Sequence, residues 1–63
     1  MVAGRKEKME ELDRLLQWMG DYVDEAWELQ YRGYYREALK KLEKAKEVLE
    51  EALPLARELA GVE

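Results

Sequence analysis

From Arg5 to Tyr31, apolar residues recur at Met9, Leu12, Leu16, Met19, Val23 and Ala26, alternating in steps of three and four. That spacing follows the turn of an α-helix and gathers these side chains on one face. Asp13, Gln17, Asp21, Asp24 and Glu28 fall opposite. Gly20 followed by Asp21 would allow a stop and restart, yet the stripe runs through them in phase, and a break would shift that phase. Helix 1 is therefore expected to be continuous over about residues 5–31, with residues 1–4 disordered ahead of it. A second stripe, Tyr35, Ala38, Leu42, Ala45, Leu49, Ala52, Ala56 and Leu59, has the same spacing and predicts helix 2 over about residues 34–60.

Projected at about 100° per residue, the second stripe is rotated by several tens of degrees from the first. One unbroken helix would not keep a single apolar side, so the break is placed at Gly33. A glycine there can take the left-handed conformation that closes a helix, and a connection this short forces the helices antiparallel. Pro54 falls within helix 2, on its polar side, where it lacks the donor for the Glu50 carbonyl. Because the stripe continues to Leu59, a bend toward the partner helix is expected; a separate short helix after Leu53 is the alternative.

Pairing the stripes about a tight turn tests the hairpin. With residue numbers adding to 68 and the turn centred on Tyr34, Met9 faces Leu59, Leu12 faces Ala56, Leu16 faces Ala52, Met19 faces Leu49, Val23 faces Ala45 and Ala26 faces Leu42. Large side chains mostly meet small ones, which lets interdigitated layers reach native density. These residues, with Ala38, form the expected core.

With the stripe positions labelled a and d of a heptad, the g positions of helix 1 are Leu15, Tyr22 and Leu29, and those of helix 2 are Tyr34, Lys41, Val48 and Leu55. In an antiparallel pair the g positions share one side. Leu15, Tyr22, Leu29, Val48 and Leu55, extended by Trp18, are thus expected to form an apolar layer that a lone hairpin leaves uncovered. The other side carries Trp27, Leu39, Leu53 and Ala60, interrupted by Asp13, Gly20 and Lys46. Trp27 is expected to pack its ring beside Tyr31 near the turn rather than to stack on a ligand. Gln30 and Lys41 intrude on the apolar positions close to the turn, where solvent is within reach of an extended side chain.

Residues 33–48, reading Gly-Tyr-Tyr-Arg-Glu-Ala-Leu-Lys-Lys-Leu-Glu-Lys-Ala-Lys-Glu-Val, resemble the second half of a tetratricopeptide repeat. Gly33 and Tyr35 stand where that family closes its inter-helix turn, and Ala38 and Ala45 where it places small residues for close helix packing. Upstream the chain departs from the family, with Tyr22, Glu25 and Ala26 where it favours Trp, Leu and Gly. The resemblance implies a helical hairpin with a protein-interaction role. It carries over no peptide-contacting residues, because such arrays need about three stacked repeats to form a groove. The layout is also similar to that of small dimeric hairpins that form antiparallel four-helix bundles.

Composition narrows the function. The 63-residue chain has no Cys and no His, which removes disulfides and the commonest structural-metal ligands and leaves oligomerisation as the usual support for a core worth roughly 3–5 kcal/mol. Ser, Thr, Asn, Phe and Ile are absent as well, so the alphabet leans on strong helix formers, as in a thermostable protein from a hot environment or a de novo design composed for helix propensity. The net charge of −4 opposes binding to phosphate backbones, and no apolar run reaches the length of a membrane span. A soluble, cytoplasmic chain that binds neither nucleic acid nor membrane is expected.

Without Ser, Thr, Cys or His there is no ordinary nucleophile–base pair. Glu10, Glu28, Glu43, Glu47 and Glu50 point away from the stripe, unlike the inward carboxylates of di-metal bundles. Lys40, Lys41 and Lys44 are balanced by Glu37, Glu43 and Glu47 within helical reach. No catalytic residue, cofactor or metal is expected. The residues instead predict an all-α antiparallel hairpin that dimerises into a four-helix bundle, or that offers the same face to a different helical protein.

Overall fold

The computed structural model of the chain describes residues 2–61. It has two helices, α1 at Val2–Tyr31 and α2 at Tyr35–Ala60, packed on each other as an antiparallel hairpin. α1 begins ahead of the expected start at Arg5, and of the segment expected to be disordered, Met1 lies outside the described residues. α2 runs unbroken through Pro54, so the alternative of a third helix after Leu53 does not occur.

Gly33 makes the turn. Its φ is 89°, a left-handed conformation that costs a side-chain-bearing residue roughly 1–2 kcal/mol. The amide of Tyr34 donates to the carbonyl of Leu29 at 2.9 Å, and that of Gly33 to Gln30 at 3.0 Å. These two bonds are the 6→1 and 5→2 pair of a Schellman motif, and they satisfy carbonyls that the end of α1 would otherwise leave bare. At the far end of α2, Gly61 is again left-handed, with a φ of 77° and its N–H aimed at the carbonyls of Arg57 and Glu58.

Three contacts between the helices set the register. Lys8 pairs with Glu58, Lys41 with Glu25, and the Arg5 guanidinium donates to the Leu59 carbonyl at 2.8 Å. Both ion pairs join residues whose numbers add to 66, so the hairpin is centred on Gly33, one residue before the expected Tyr34.

The seam also differs from the expected one by a rotation of both helices. Leu15, Val48 and Ala52 form its buried cluster, with Leu12, Met19, Tyr22 and Leu55 packed around them, and Ala26, Ala38 and Ala45 are buried farther along. In heptad terms these are d and g positions. The expected a residues Met9, Leu16, Val23, Leu42 and Leu49 are exposed instead. The alanine column of α2 stands at d and lines either seam; what the rotation adds is the g column, which brings Lys8 and Lys41 within reach of Glu58 and Glu25.

The result is thin, with principal extents of 48 × 19 × 12 Å. Four of the six buried residues are alanines, and no large side chain among the described residues is fully buried. Burying a large apolar side chain contributes about 1.5–3 kcal/mol; within the hairpin only Leu15 and Val48 reach that state.

Candidate interaction surface

Rotating the seam onto d and g leaves each helix with two flanks of different chemistry. One flank is made of c positions beside the g column; the other combines the a positions with the e positions, which are Asp13, Gly20 and Trp27 on α1 and Leu39, Lys46, Leu53 and Ala60 on α2.

The c and g flank is closed by charge. Both ion pairs between the helices found among the described residues lie there. The Lys41 ammonium also sits 5.8 Å from the centre of the Tyr22 ring, within range of a cation–π contact. A shallow depression of about 410 Å³ on this side is bordered by Tyr22, Leu29, Glu37, Lys40, Lys41 and Lys44, so its apolar floor is rimmed by lysines and one carboxylate. Glu25, first by its hydrogen bond and then by its charge, holds Lys41 above the ordinary lysine value of 10.5.

The a and e flank has no such closure. Of the twelve exposed large apolar residues among those described, nine stand on it: Met9, Leu16, Val23 and Trp27 of α1, and Tyr35, Leu39, Leu42, Leu49 and Leu53 of α2. The two helices line it jointly, because Val23, Ala26, Trp27 and Gln30 meet Ala38 and Leu42 around an open groove of about 220 Å³. Trp27 stacks on Tyr31, ring centres 5.5 Å apart and planes 19° apart, as expected from their positions near the turn. That stacking restrains the indole without covering it.

The expected interface residues therefore divide. Leu15 and Val48 are only 6% and 4% exposed and belong to the hairpin's own core. Tyr22, Leu29 and Leu55 are half-buried at its edge. Trp18 is exposed, its ring tilted at 6.1 Å from that of Tyr22, but it stands on the charged flank. Conversely Leu16 and Leu49, next in sequence to Leu15 and Val48, are 46% and 39% exposed on the apolar flank. The signal for this exchange was the g-column lysines Lys8 and Lys41 together with Glu58 and Glu25, two opposite-charge pairs with one shared register.

Among the described residues no cluster of acidic side chains could hold a metal ion, and no helix is long and apolar enough to cross a membrane. No protein-family model, curated protein or solved structure matches the chain.

Proposed function

We propose that the chain is a non-enzymatic assembly module that pairs with a second copy of itself through the a and e flank, giving a four-helix bundle. The observation that carries this reading is the asymmetry of the hairpin: one flank is laced by ion pairs and the other presents nine exposed large apolar side chains. Covering all nine, which are about half exposed in the hairpin, contributes roughly 7–13 kcal/mol, comparable with the estimated cost of association of about 4–15 kcal/mol.

Size and charge favour a second copy as the cover. The broad face of the hairpin measures 48 by 19 Å, close to the ~800 Å² that each partner contributes to a stable interface. At its middle levels the flank carries one acid, Asp13, and one base, Lys46. Two copies can therefore meet there without concentrating the chain's net charge of −4. The likeness to a tetratricopeptide repeat agrees: Ala38 and Ala45 are buried in the seam, and a single such unit needs a neighbour to complete its core.

Sedimentation against concentration tests the proposal. The expected result is a dimer at micromolar concentration, dissociated by joint Leu16→Glu and Leu49→Glu replacement and retained after Trp18→Glu. A wild-type chain that stays monomeric throughout would overturn it and leave a different helical protein as the partner.

A further inference from the structure

Gly20 lies in the middle of α1, in the same column as Asp13 and Trp27 and between Leu16 and Val23 on the uncovered flank. Its backbone is ordinary right-handed helix, since only Gly33 and Gly61 have positive φ; no special conformation calls for glycine. A Cβ added there would meet nothing within 4 Å, so packing inside the hairpin does not call for it either. Glycine is nonetheless one of the least favourable residues inside a helix.

By the register that pairs Lys8 with Glu58, Lys46 stands level with Gly20 on α2. At that level neither helix offers a bulky apolar group, and the flank narrows to a waist. Met9, Leu16, Leu49 and Leu53 stand on one side of it, and Val23, Trp27, Leu39 and Leu42 on the other. Lysine can lay its stem along an apolar surface and send its head to water, so only the missing side chain at Gly20 opens the waist.

Building on the dimer reading above, we infer that a second copy crosses α1 at Gly20, with its helix backbone brought close where the glycine leaves room. The distance between packed helix axes depends on the side chains at the point of contact, and an isologous contact joins the same patch of both copies. With the two copies antiparallel, a crossing at the waist sets the apolar cluster on one side of it against the cluster on the other side in the second copy.

The test compares dimer dissociation constants of the wild type, Gly20→Ala and Gly20→Leu by sedimentation, with far-UV circular dichroism at high dilution. Both replacements raise helix propensity. If nothing crosses at Gly20, Ala leaves the dimer as tight or tighter, and Leu tightens it by adding apolar surface. A crossing predicts the reverse: a dissociation constant raised roughly tenfold or more for Ala, and further for Leu, as overfilling a close contact does, while helicity is undiminished. An unchanged or lower constant for both variants overturns the crossing and leaves the dimer standing. A wild-type chain that never dimerises overturns both.

Discussion

The Lys41 ammonium of α2 lies 2.8 Å from a carboxylate oxygen of Glu25 on α1, and this pair closes by charge the flank opposite the apolar one. Both side chains remain well exposed, so solvent screens the pair and its contribution is small. Its direction is defined, because the folded-state pKa of Lys41 is raised. The stabilisation is fully present below the ordinary lysine value of 10.5 and is lost as pH rises through the folded-state value. Titrating the Lys41 side-chain nitrogen by NMR should show deprotonation later than in an unstructured peptide, and Glu25→Gln should bring it earlier. A Lys41 titration indifferent to that replacement would dissolve the pair.

Leu15 and Leu16 are neighbours with opposite assignments, the first in the hairpin seam and the second on the uncovered flank. Leu15→Ala should lower unfolding stability by about 2 kcal/mol or more, measured at fixed concentration in denaturant. Leu16→Ala should act chiefly on the dissociation constant. Equal effects on both measurements would mean that the rotation of α1 is misassigned.

Both helices, the turn glycine and the passage of α2 through Pro54 follow from apolar spacing, because periodicity reports directly which residues share a helix face. The rotation about each axis does not follow from it. Each helix carries apolar residues at a, d and g, a stripe wide enough to seat a neighbour in two ways, and a pairing of large with small residues was satisfied by the one that did not form. The choice fell to a weaker term, the reach of Lys8 and Lys41 across the seam to Glu58 and Glu25. Periodicity is blind to charge pairing. Trp27 and Tyr31 were easier, since residues four apart on a helix are neighbours whatever the rotation.

Gly33 holds a positive φ at the turn. Gly33→Ala should destabilise the hairpin by roughly 1–2 kcal/mol, read as a lower denaturant midpoint with an unchanged slope. If Gly33→Ala left the midpoint in place, the left-handed closure would not be what holds the turn.

The two tryptophans stand on different flanks, Trp27 beside the groove with Val23 and Leu42 and Trp18 beside Tyr22. Replacing either with Tyr leaves a single indole as reporter. Emission from Trp27 should shift to the blue as concentration rises through the association range, and that from Trp18 should stay nearly constant. The opposite pattern would move the interface to the charged flank.

A slab 12 Å deep has little interior beyond the Leu15, Val48 and alanine seam, and most of its larger apolar groups border either solvent or whatever lies on top. Folding and encounter are then not separable ledgers. When the cover is another copy, mass action enters the melting temperature itself, and each tenfold dilution withdraws about 1.4 kcal/mol from the assembled state.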